Sequence, residues 1–255
     1  MTAVATMTPH ARYSLALGDD SLILAQRLGE WSSRAPELEE DVALTNIALD
    51  LLGQARALLS HAGELEGAGR DEDDLAFLRD EREVLNVQLV ELDNGDFAAT
   101  IARQLLFSTY QLELFERLQR SADATIAGVA GKAVKEVAYH VDHAVQWTLR
   151  LGDGTELSHH RMQSALDATW PFSAELFERD WVDASLLDGG VAVDPASLRA
   201  PWDSRVTATV EAATLAVPQG TWHPGGGRRG IHTEGFGHML ATMQHLHRSH
   251  RGARW

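Results

Sequence analysis

The chain contains no cysteine. That excludes disulfides, thiolate nucleophiles and cysteine-ligated iron–sulfur clusters. Basic residues are few: 22 Lys and Arg stand against 37 Asp and Glu, a formal charge of −15. Non-specific binding to nucleic acid or to an anionic membrane needs a positive field, so neither partner is expected. Surplus acid is what a solvated surface carries, and it also suits a partner with a basic face. No stretch approaches 18 uncharged apolar residues, so no membrane span is expected. The opening MTAVATMTPHARYS lacks the cationic start and long apolar run of a secretory leader. The expectation is a soluble cytoplasmic protein. Internal repeats are lacking, and no low-complexity segment stands out beyond one glycine run.

What is present reads as helix. The 255 residues suffice to bury a sizeable core. The stretch that organises the rest is KAVKEVAYHVDHAVQWTLRL, Lys132 to Leu151. Ala133, Val137, His140, Ala144, Trp147 and Leu151 recur at helical spacing, on a face apolar except for one imidazole. Glu136 lies one turn before His140, and His143 lies three residues after it. A metal-binding bundle helix carries Glu-x-x-His with both ligands inward, but here the position three before His140 is Val137.

Taken in order, Tyr13 to Arg34 is expected to be a first helix, with the stripe Tyr13, Leu17, Asp20, Leu24, Leu28 and Trp31. Pro36 followed by Glu37, Glu39, Glu40 and Asp41 starts a second, because acids in a first turn face the positive dipole end. It runs to about Glu66 behind Leu44, Ile47, Leu51, Ala55, Leu58 and Ala62. The join is short, so the two are expected to be antiparallel. GELEGAGRDEDD (63–74) reads as loop, two shorter apolar segments follow, and Asn94-Gly95 marks a turn. Asp96 is a candidate cap for a third long helix to about Arg120, with Phe97, Ile101, Leu105, Ser108, Leu112 and Phe115 inward. Ser121 to Asp123 makes a short connection, and the helix that carries the organising stretch follows as the fourth, ending at Gly152-Asp153-Gly154. Two antiparallel pairs linked by one long crossover is the ferritin-like four-helix bundle plan. A single all-α domain over 1–255 is expected, its core bundle at about 13–151. Satellite helices and loops at about 155–255 would comprise helices at Ser158–Phe177, Trp202–Val217 and Thr233–His247, a mostly loop segment at 183–201 and a flexible or ligand-shaped loop at 218–230.

A bundle of this plan that holds two irons uses six ligands: one Glu from each of two helices and a Glu-x-x-His from each of the others. Counting back from the turns near residues 35 and 122, the six central positions are Asp20, Leu51, Gln54, Ser108, Val137 and His140. Only Asp20 and His140 are good ligands. Leu51 and Val137 stand where bridging carboxylates would be needed, and Gln54 replaces an imidazole by a neutral amide. Iron needs anionic donors to offset its charge, so no metal and no catalytic residue is expected here. The alternative at these positions is a polar core network in which His140 bonds to Asp20, Gln54 or Ser108. Glu156 to His159 is the only Glu-x-x-His and lies at a loop-to-helix junction. Glu136 and His140 could pair on a helix surface, and His247 and His250 read as solvated tail residues.

ALDLLGQARALLSHAGEL, FLRDEREVLNVQLVELDNGDFAATIARQ, AELFERD and GIHTEGFGHMLATMQ resemble the C subunits of bacterial phenylacetyl-CoA epoxidase, from about Tyr13 to the C-terminus. The resemblance implies a ferritin-like fold and a structural subunit of a heteromeric mono-oxygenase of phenylacetate catabolism. It implies no cofactor in this chain. Its partners would be a catalytic subunit that bears the di-iron site and binds the acyl-CoA, a small B subunit, and a reductase drawing on NADPH.

Three functions follow for testing. One is a non-catalytic scaffold pairing through a large helical interface, with Trp170, Phe172, Trp181 and Trp202 as candidate contact residues and ordinary core packing as their alternative. Another is a ferritin-like oxidase with its own metal. The third is a peripheral acyl-CoA contact at GGGRR (225–229), where glycine N–H groups with Arg228 and Arg229 would attract phosphate. A flexible turn with solvated arginines, or an intersubunit salt bridge, is the plainer reading of that loop.

Overall fold

The computed structural model of the chain describes residues 7–250 and residue 253. The first six residues of the stretch read for a secretory leader lie outside them. Among the described residues every regular element is helical. The α-helices are α1 (Pro9–Gly29), α2 (Leu38–Glu66), α3 (Glu72–Phe77), α4 (Gln88–Glu91), α5 (Phe97–Leu118), α6 (Ala124–Gly152), α7 (Glu156–Thr169), α8 (Ala184–Asp188), α9 (Arg199–Ala212) and α10 (Phe236–Ser249). Short 3-10 turns fill several of the joins.

Local chemistry sets these bounds. Asp96 accepts the Ala99 N–H at 3.0 Å and caps α5 as expected, and Asp123 does the same for α6 from Ile126 at 2.9 Å. α1 begins four residues before the expected Tyr13, because Thr8 caps it and Pro9 occupies its first position. It stops at Gly29 rather than Arg34, where the chain turns and Ser33 takes a positive φ of 65°. The helix expected over 158–177 divides at Pro171, whose ring nitrogen has no proton to donate, and continues as a 3-10 stretch, Trp170–Phe177. The 183–201 segment, expected to be mostly loop, is largely helical. Asp183 caps α8, and α9 begins at Arg199.

The chain forms two compact units, each discontinuous in sequence. The first gathers the described residues of Met1–Ser32, Ala43–Asp93 and Gly226–Trp255. The second gathers Ser33–Val42 and Asn94–Gly225.

In the first unit every residue of α1 from Tyr13 to Ala25 is buried. The stripe read from sequence is thus one face of a helix covered all round. Its polar groups find partners: Ser14 Oγ donates to the Leu58 carbonyl at 2.8 Å. In the second unit α5 is buried on all sides from Thr100 to Phe115. α7 and α9 pack over it, and the Trp202 indole donates to the Leu106 carbonyl at 2.8 Å. Trp202 is fully buried and therefore a core residue, not a partner contact. Trp170, Phe172 and Trp181 are half-buried.

α2 differs from α1 and α5. Leu44, Ile47, Leu51, Ala55, Leu58 and Ala62 are buried, as a core helix requires. On its outward side Leu38, Val42, Leu49 and Leu52 are exposed, at 78%, 53%, 59% and 48%. Among the described helices α2 alone is long and apolar enough by composition to cross a membrane. Its fully buried inner stripe is the pattern of a bundle-core helix.

Candidate functional site

Asp19 and Asp20 are neighbours on the buried middle of α1. A carboxylate there must be paired, since an uncompensated buried charge costs several kcal/mol. Asp19 is gripped on both oxygens by Arg79, one of these bonds being Nη1 to Oδ2 at 2.9 Å, and accepts the Leu85 N–H at 2.8 Å. Asp20 is gripped on both oxygens by Arg228, at 2.6 and 3.1 Å, and accepts the Val87 N–H at 2.9 Å. Arg228 also donates to the Ala16 and Leu85 carbonyls, each at 2.9 Å. Burial pushes the Asp20 carboxyl up to about 6, against the opposing pull of Arg228. Through Arg228 the carboxylate joins α1 to the C-terminal segment and to the Leu85 carbonyl of the crossover.

A third pair closes the same unit. Glu91 Oε2 takes Asn86 Nδ2 at 2.8 Å and His232 Nδ1 at 2.7 Å, while Oε1 accepts the Thr233 N–H at 2.6 Å. The other ring nitrogen of His232 lies 3.0 Å from the Val84 carbonyl. Both nitrogens face acceptors, so both must carry protons and the ring is an imidazolium. Burial pulls the His232 pKa down, but the hydrogen bond and charge of Glu91 more than offset it, and the net shift is upward. A group with a raised folded pKa stabilises the fold fully below its ordinary value of 6.5 and loses that contribution as pH rises through the folded value. His232→Gln is thus expected to lose the most stability, relative to the parent, below pH 6.5. Thermal melts from pH 6 to 9 should show the gap between them closing at alkaline pH. A constant gap would contradict the pairing.

Together the three pairs tie α1 to the crossover (79–91) and to the C-terminal segment (226–233). This overturns the expectation that Arg228 binds phosphate. It is 2% exposed and its guanidinium is committed to Asp20. Nor is GGGRR a flexible turn. A Cβ on Gly227 would overlap the Asn86 carbonyl, and Gly226 and Gly230 hold φ of 110° and 71°. The glycines let this backbone close onto the crossover and drive Arg228 inward. Arg229 is exposed and is the one arginine of that run at the surface.

The six positions read as a metal centre divide three and three between the units. In the first, Asp20 is ion-paired with Arg228, Leu51 is buried aliphatic, and the Gln54 amide oxygen lies 3.5 Å from Ser21 Oγ. In the second, Ser108 donates to the carbonyl of Gln104 in its own helix at 2.6 Å, and Val137 and His140 are buried. This donor set does not fit two irons: it offers one carboxylate, already neutralised, and one imidazole. Asp20 draws its donors from Arg228 and Val87, two groups outside the polar network expected from the sequence.

Other sequence candidates resolve differently. Glu136 lies 3.6 Å from Lys132. His159 Nδ1 meets the Gly152 carbonyl at 2.7 Å, helping to close the turn into α7. His247 stacks on Phe77 at 5.1 Å, so it is not a solvated tail residue. His143, flagged only for its closeness to His140, forms a buried 2.8 Å pair with Glu40 from the start of α2. Sequence reasoning missed Asp19, Arg79, Glu91, His232 and the Glu40 partnership. The available signal was two adjacent acids in an otherwise apolar helix, each of which had to find a cation.

An all-helical chain with two pairs of long helices on either side of a crossover follows the ferritin-like plan. The chain belongs to the phenylacetic acid catabolic protein family, whose model matches residues 1–255. It is 52% identical over 243 residues to the C subunit of the 1,2-phenylacetyl-CoA epoxidase of Escherichia coli (strain K12). That alignment covers 95% of this chain and 98% of the relative. The resemblance to phenylacetyl-CoA epoxidase C subunits read from the sequence is thereby borne out.

Proposed function

We propose that this chain is a non-catalytic supporting member of a multicomponent phenylacetyl-CoA epoxidase in the cytoplasm. It pairs with a catalytic subunit that bears the di-iron site, and a small B subunit and a reductase complete the assembly. The observation that carries the reading is the central donor set. Leu51 and Val137 occupy two carboxylate positions, and Asp20 is spent on Arg228.

A pairing surface on α2 supports this reading. Leu38, Val42, Leu49 and Leu52 recur at alternating coiled-coil spacing, with Thr45 between them. Beside Leu49 and Leu52 the first unit has an apolar groove of about 440 Å³, lined also by Leu22, Ala25, Phe77 and Met243. Glu39, Asp41 and Asp50 flank the stripe, so the fitting occupant is an apolar helix of the catalytic subunit with basic flanks. Expressing the catalytic subunit with and without this chain tests the role. Full epoxidase activity from the catalytic subunit alone would refute it.

A further inference from the structure

The second unit contains a cleft of about 620 Å³ between α7, the 3-10 stretch after it and the loop 218–223. None of the buried pairs described above contributes to it. The root of its loop is pinned: Gln163 donates to the Ala216 carbonyl at 3.0 Å and accepts the Ala216 N–H at 2.8 Å. The same amide donates to Asp167, which lines the cleft, at 3.0 Å. Arg199, which also lines the cleft, is held in place. Both its hydrogen bonds to Asp203 leave from Nε, at 2.9 Å, and its guanidinium lies over Phe177 and Trp202 at 4.9 and 5.7 Å. The terminal nitrogens are thereby fixed in plane and left for a ligand. Trp170 lines one side, and Trp222, 70% exposed, lines the loop side beside His223.

We propose that this cleft binds a purine ring bearing phosphate. The two indoles offer faces on which a planar ring stacks. Arg199 offers charge and His223 a ring N–H to a phosphate, and Asp167 can accept from an exocyclic amine. Arginine beside the rings disfavours a cationic ligand, which an aromatic cage would otherwise suit. The volume suits a nucleotide-sized molecule. The proposal is independent of the supporting role, since it concerns binding by the isolated chain.

The probe is ADP, titrated into the full chain and followed by tryptophan fluorescence and calorimetry. Saturable binding is expected. Trp222→Ala should weaken it by about tenfold, the scale of losing one stacked base. Trp222 is largely exposed, so the variant should keep its fold, checked by circular dichroism. Adenosine and pyrophosphate should each bind at least about tenfold more weakly than ADP. Lack of saturable binding at about 5 mM ADP, equal affinity in Trp222→Ala, or pyrophosphate matching ADP would each overturn the proposal. Purine-phosphate groups occur in free nucleotides, dinucleotides and coenzyme A. Displacement of ADP by coenzyme A or by NAD identifies the source, and displacement by neither assigns the cleft to free nucleotides.

Discussion

Replacing Arg228 by alanine is expected to cost about 3–5 kcal/mol of folding stability, the usual cost of orphaning a buried charge. Asp20 is 3% exposed and would keep only the Val87 N–H. The carbonyls of Ala16 and Leu85 would each lose one donor as well. In a chain of this size the loss lowers Tm by roughly 6–20 °C. Asp20→Asn combined with Arg228→Met should recover most of it, because the buried charges leave together and Asn can still accept from Val87. If both residues acted only through surface electrostatics, the single variant would cost less than about 1 kcal/mol and salt would erase the difference.

The second large effect concerns assembly. Leu49→Glu with Leu52→Glu should leave the melting temperature of the isolated chain nearly unchanged, since both side chains already face water. Co-purification with the catalytic subunit should fall by about a hundredfold or more, as apolar contact is lost and two charges must be desolvated. The outward-facing Glu116→Ala on α5 serves as the control. Undiminished pairing of the double variant would move the interface elsewhere.

Much of the fold was legible because its signals are local. α2, α5 and α6 lie within a few residues of their expected bounds, since 3.6-residue periodicity and caps such as Asp96 and Asp123 are carried in short windows. The start of α1 was also written locally, in Thr8-Pro9. The buried pairs were not legible. Arg79 reaches Asp19 across 60 residues, His232 reaches Glu91 across 141, and Arg228 reaches Asp20 across 208. No periodicity announces a partner at such separations. The glycine-arginine loop misled for a related reason. Its composition suits a phosphate cradle and a close backbone contact equally well, and only the position of the Asn86 carbonyl decides between them. Periodicity put Asp20 on the inward stripe of its helix, where it is buried, but could not name its partner.

The iron content of the chain, purified alone after expression in iron-replete medium, tests the central claim most directly. The account predicts less than about 0.1 iron per chain, because the central donor set holds too few anionic groups. Roughly two irons per chain, lost on substituting Asp20 or His140, would contradict it.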